Sequence, residues 1–132
     1  MTAIVEQIAT YLDAQSIADY SATTASGIYI DILPEKSDVF AIYNRPGQYS
    51  ESNLGYKKVG IQIIYKGTGN PITSFAKAES CFDKLKGFAG LFVTGGNYVV
   101  GCLTNQDGAA AIGQDKNGNF EYSMNFVVEY KT

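Results

Sequence analysis

The sequence predicts an α+β domain: an antiparallel sheet of about four to five strands with two helices packed on one face. Three observations carry that expectation. Apolar residues recur at helical spacing in two separate stretches, residues 4–12 and 73–86. Runs rich in Ile, Val, Tyr and Phe lie between and after them. The last such run alternates cleanly: Phe120, Tyr122, Met124, Phe126, Val128 and Tyr130 interleave with Glu121, Ser123, Asn125, Val127 and Glu129. A helix with one apolar stripe must bury it, and a sheet with one apolar face supplies the surface.

In chain order, Ile4, Val5, Ile8 and Leu12 give a first helix of about three turns, with Thr2 as its N-cap. Glu6, Gln7 and Asp13 are expected on its polar side. The Ser/Thr/Ala-rich stretch Ser21 to Gly27 then ends the helical segment. Ile28 to Leu33 is β-branched and stops at Pro34, which cannot donate to a ladder. Val39 to Asn44 follows after a short link, so these two segments are expected to form an antiparallel hairpin. In the third strand, Lys57 to Lys66, Val59, Ile61, Ile63 and Tyr65 share one face, while Lys58, Gly60, Gln62, Ile64 and Lys66 share the other. The second helix begins near Thr73 or Ser74, turns Phe75, Ala78, Phe82 and Leu85 one way, and ends at Gly87. Asn97 to Thr104 and Phe120 to Tyr130 complete the sheet, and Asp107-Gly108 and Asn117-Gly118 mark turns.

Composition narrows the chemistry. With 45% hydrophobic and 17% charged residues the chain is globular, and 132 residues make a single domain, 1–132. Histidine is absent, which removes Ser-His-Asp and Cys-His nucleophilic catalysis and any His-ligated metal site. The two cysteines, Cys81 and Cys102, form no C-x-x-C pair; a disulfide is permitted, and free thiols packed as small hydrophobes are expected. Net charge is −3 and no basic run occurs, so sequence-specific nucleic-acid binding is not expected. Neither a signal peptide nor a membrane-spanning stretch is expected. Ten Tyr and seven Phe instead suit half-exposed sheet faces and contact surfaces.

A search for reactive constellations returns little. The glycines of Gly87 to Gly96 follow no phosphate-loop pattern. Glu79 and Asp83, with Lys84 and Lys86 beside them, read as a solvated helix face. The run Asp115-Lys116-Asn117-Gly118-Asn119 lacks the alternating acidic residues of a calcium loop and reads as a hairpin turn. No catalytic residue, metal site or cofactor is expected.

Several stretches carry a family likeness. They are Leu33-Pro34 with Asp38-Val39-Phe40-Ala41-Ile42-Tyr43; Arg45-Pro46-Gly47; Val59-Gly60-Ile61-Gln62-Ile63-Ile64-Tyr65-Lys66-Gly67; the helix with Ala78, Phe82, Leu85 and Gly87; and Ile112-Gly113-Gln114-Asp115-Lys116-Asn117-Gly118 with Tyr122-Ser123-Met124-Asn125-Phe126. In these the chain resembles the tail terminator (tail-to-head joining) proteins of long-tailed bacteriophages, a family that takes in phage minor capsid proteins. The resemblance implies a virion structural protein without an active site. It implies a ring of six copies that caps the tail tube and joins tail to head. The implied partners are the tail tube protein and a head-completion or connector protein. The implied places are the tail or neck of the virion and, during assembly, the host cytoplasm.

Five residues are expected at interfaces. Ile64 and Val127 put apolar groups on the wet side of the sheet, where ring contacts are expected. Tyr49, Leu54 and Tyr56 lie in the long polar loop Arg45 to Tyr56. That loop cannot build a core of its own and is expected to order only against a partner. Two other readings compete: a small-ligand-binding or enzymatic α+β module, and a structural homodimer that pairs through the Phe120–Tyr130 strand as an edge. The mass in solution separates the three.

Overall fold

The computed structural model describes residues 3–21, 27–45, 55–68 and 70–131. Along them run α1 (Ile4–Ala14), β1 (Ile28–Ile30), β2 (Val39–Arg45), β3 (Tyr56–Lys66), α2 (Pro71–Leu85), β4 (Gly90–Leu91), β5 (Tyr98–Leu103), β6 (Ala110–Gln114) and β7 (Phe120–Lys131). The seven strands form one sheet in the order β1-β2-β3-β7-β5-β4, with β6 also paired to β7.

Register explains the core. Phe40, Tyr65 and Tyr122 stand in one cross-strand row, and Ile42, Ile63 and Met124 in the next. Ile61 pairs with Phe126, and Val128 with Cys102. These residues point to one face because side chains alternate along a strand. They share one buried cluster with Ile4, Val5, Ile8, Ala9 and Leu12 of α1 and Ala78, Cys81, Phe82 and Leu85 of α2. Both helices therefore cover the same face, as their apolar spacing requires. Asn70 caps α2 by accepting from the N–H groups of Ile72 and Thr73, with Pro71 at the first helical position. Gly87, at φ 72°, ends it in the left-handed region that favours glycine.

Several expectations need correction. The sheet is mixed and larger than four to five antiparallel strands. β1 pairs with β2 in parallel, Ile28 opposite Phe40 and Ile30 opposite Ile42, so the two form no hairpin. The link between them has none of the Asn-Gly or Asp-Gly chemistry that closes a tight hairpin. It is pinned across the end of the sheet instead, where Lys66 Nζ donates to the Pro34 carbonyl at 2.9 Å and Lys116 pairs with Glu35 at 3.1 Å. β1 also stops at Ile30, because Asp31 turns into the left-handed region at φ 61°. Ala3, not Thr2, takes the N-cap position of α1.

Gln7 is fully buried rather than on a polar face. Its side chain donates to Asn97 Oδ1 at 2.8 Å and accepts from the Asn97 N–H at 3.1 Å, tying α1 to the start of β5. Glu79 is not a solvated carboxylate: its Oε1 accepts from the Ala109 N–H at 2.6 Å and anchors the β5–β6 connection to α2. The Asp115 turn is the hairpin its sequence predicts, since Asp115 Oδ1 accepts from the N–H groups of Asn117 and Asn119 at 2.9 Å each.

β7 is the central strand. β3 runs along one side of it over residues 121–131. β5 and β6 share the other side, pairing with residues 127–130 and 120–123. Between those two pairings the ladder is completed by side chains. Gln106 Oε1 accepts from the Asn125 N–H at 2.5 Å, Gln106 Nε2 donates to the Ser123 carbonyl at 3.1 Å, and Thr104 Oγ1 donates to the Asn125 carbonyl at 2.7 Å. With both sides occupied, β7 offers no edge for a homodimer, which overturns that reading of the Phe120–Tyr130 strand.

Candidate functional site

Among the described residues, both helices lie on one face of the sheet and none covers the second. Residues on it follow from the same registers: Tyr43, Gln62 and Asn125 form one row, Ala41, Ile64 and Ser123 a second, and Gly60 and Val127 lie together in a third beside Leu103. Ile64 and Val127 are both on this face and both half-buried, where the alternation of their strands puts them. Ile64 sits in its row between small neighbours, Ala41 and Ser123, both of them buried. Leu103 adds an exposed aliphatic group that sequence reading did not single out.

Polar side chains frame these apolar ones. Arg45 Nε donates to Gln62 Oε1 at 2.8 Å, and its guanidinium lies 4.7 Å from the centre of the Tyr43 ring. Gln62 and Asn125 both donate to Ser123 Oγ at 3.4 Å. Lys58 Nζ stands 3.7 Å from Glu129 Oε2, a half-exposed pair of small energetic weight. Gly60 permits a close strand approach, because a Cβ there would sit 2.7 Å from the Arg45 carbonyl oxygen. Around it lies a depression of about 610 Å³, lined by Arg45, Lys58, Leu103, Thr104, Val127 and Glu129 among others. Its charged groups are engaged with one another or with neighbouring side chains. What it offers to the outside is an apolar floor with a polar rim, the anatomy of a protein contact.

Both thiols are withdrawn from this surface. Cys81 and Cys102 are both free and buried, and burial pushes each thiol up to about 12. On the helix face, Asp38 accepts from the Tyr65 hydroxyl and from Lys77 Nζ at 2.7 Å each, which bolts β3 and α2 to the start of β2. Tyr11, Phe88 and Phe92 pack ring against ring at the far corner, with Phe88 and Phe92 stacked 4.2 Å apart. These contacts fix the frame on the helix side of the sheet.

Of the five expected interface residues, the structure brings Ile64 and Val127 together on one face. Tyr56 is half-buried at the start of β3, opposite Lys131. Tyr49 and Leu54, and with them the expectation about the long loop, lie outside the described residues. No curated protein matches the chain, and no solved structure does. A family model described as bacteriophage tail terminator protein matches residues 11–132.

Proposed function

The chain belongs to the bacteriophage tail terminator family and is a structural component of the phage tail, and from that premise we propose that it closes into a ring of six copies that caps the finished tail tube and joins tail to head. Its partners are then further copies of itself, the tail tube protein and a head-completion or connector protein. The reading needs neither a catalytic step nor a cofactor. It places the protein in the tail or neck of the virion after assembly in the host cytoplasm.

One observation supports this reading above the others: among the described residues no second layer covers one face of the sheet, which carries Ile64, Val127 and Leu103 among paired polar groups. A domain of two layers leaves one sheet face to water or to a partner, and apolar groups there gain about 25 cal/mol per Å² once covered. Net charge of −3 also suits a passage through which DNA slides without sticking.

The test is assembly. Wild-type protein is expected at the mass of a ring in solution or on tail tubes. Ile64→Asp and Val127→Asp are expected to keep the wild-type circular dichroism spectrum while losing most of the assembled fraction. Unchanged assembly in both variants would remove the uncovered face from the account.

A further inference from the structure

A cyclic ring needs two different surfaces on each copy, one to match the other. An open sheet has two different ends, and here they differ in a way that matters. β4, at one end, is only two residues long. On the same side of β7 but toward its other end, β6 presents Ala110-Ala111-Ile112-Gly113-Gln114, all five exposed, with no charge and no proline. Edge strands are ordinarily blunted by charge or proline so that they do not recruit another strand. The one guard on β6 is a register shift between Ala111 and Gly113. The first turn of α2 stands next to this edge: Phe75 packs 5.9 Å from Tyr122, the cross-strand partner of Ala111. Ile72, in that same turn, is 82% exposed. An edge with a helix beside it is a slot for one extended backbone, since another strand satisfies a whole row of alternating N–H and C=O groups at once.

β1 ends the sheet on the opposite side. Its first residues are covered, because the Asp19 carbonyl accepts from the N–H groups of Gly27 and Ile28 at 3.0 Å. Past them the outward backbone of β1 is that of Ile30, and Ile32, two residues beyond the end of the strand, is 58% exposed. Strand directions also agree. β1 is parallel to β2, and each step from β2 through β3 and β7 to β6 is antiparallel, so β6 runs opposite to β1. Rotation about an axis along the strands preserves those directions and presents the β1 of one copy antiparallel to the β6 of the next, the sturdier pairing.

We propose that the β6 edge of each copy takes the β1 edge of its neighbour, with Ile32 of the incoming copy near Ile112, so that the sheets join edge to edge around the ring. This deepens the ring reading and rests on it. The uncovered face then runs on from copy to copy around the ring.

Double-cysteine protein, Ile32→Cys with Ile112→Cys, is treated with a bis-maleimide spanning about 10 Å, a reach that covers two residues of register offset at about 3.3 Å each. Cys81 and Cys102 are buried and do not compete. The expected product is a ladder of covalent multimers, absent from either single variant. In parallel, Ile112→Lys, at a position 54% exposed, is expected to keep its fold and lower the assembled fraction at least tenfold. A ring mass without the ladder overturns the edge joint and leaves the ring standing. Cross-linked dimers from Ile112→Cys alone mean that identical edges meet, which also overturns it. A monomeric mass for wild-type protein at every concentration overturns ring and joint together.

Discussion

Asp38 concentrates several demands on one side chain. Burial alone raises a carboxyl, but the hydrogen bonds from Lys77 and Tyr65 and the charge of Lys77 outweigh it and hold Asp38 below the usual carboxylate range. Tyr65 moves the other way: burial, then the bond to Asp38, pushes its hydroxyl up. A carboxylate with a lowered value stabilises the folded state at neutral pH, and that contribution is lost as pH falls through the lowered value. The loss therefore belongs below about pH 4, where an unperturbed Asp begins to take its proton. Urea midpoints measured from pH 7 down to pH 3 are expected to fall more steeply for wild-type protein than for Asp38→Asn. Parallel curves would mean that the contact carries no linkage. Asp115 is lowered too, chiefly by the backbone hydrogen bond from Asn119, so the variant retains part of the acid sensitivity.

At the scale of elements, the β5–β6 connection does the work of a strand with side chains. Gln106 accepts from one backbone N–H of β7 and donates to a backbone carbonyl two residues away, as a paired residue would. Gln106→Ala removes that acceptor from the exposed Asn125 N–H, which then turns to water, at an expected cost of about 0.5–1.5 kcal/mol. Chemical denaturation checks the cost, and hydrogen exchange at Asn125 is expected to quicken before exchange at Val128. Such a role is not written in residue type, and reading the sequence did not find it. β7 was legible because it is half-buried along its length and its alternation is unbroken. β6 was not, because Ala, Ala, Ile, Gly and Gln are all exposed and show no period. The parallel start of the sheet was hidden for another reason: two β-rich runs across a short link read alike whether the chain reverses or loops back. Ile64 and Val127 were legible as apolar residues at wet positions. The depression beside Val127 was not, since Gly60, Leu103 and Arg45 meet only through registers set by distant strands. Gln7 did carry a signal, three residues from Ile4 and four from Tyr11, but its polarity argued against the stripe it belongs to.

For the molecule as a whole, the two thiols report on integrity. Cys81 lies on α2 and Cys102 on β5, and both belong to the single cluster beneath the helices. Burial keeps them protonated well above neutral pH, so a disulfide-exchange reagent at pH 8 is expected to leave both unlabelled in native protein and to label both, with one rate, through the urea transition. Labelling of one thiol ahead of the other would mean that α2 or β5 opens alone. The strand that seals this cluster is also the last element in chain order. β3 is made more than fifty residues before β7 reaches it, and pairing across such a separation is slow, because the intervening chain must lose its freedom first. During synthesis, β3, β5 and β6 must all wait with open edges for one partner, and open edges recruit wrong ones. A chain stopped short of Phe120 is thus no smaller version of the protein. It leaves β3, β5 and β6 each without the neighbour that β7 supplies, a substrate for proteases and aggregation, so the virus receives complete subunits or none.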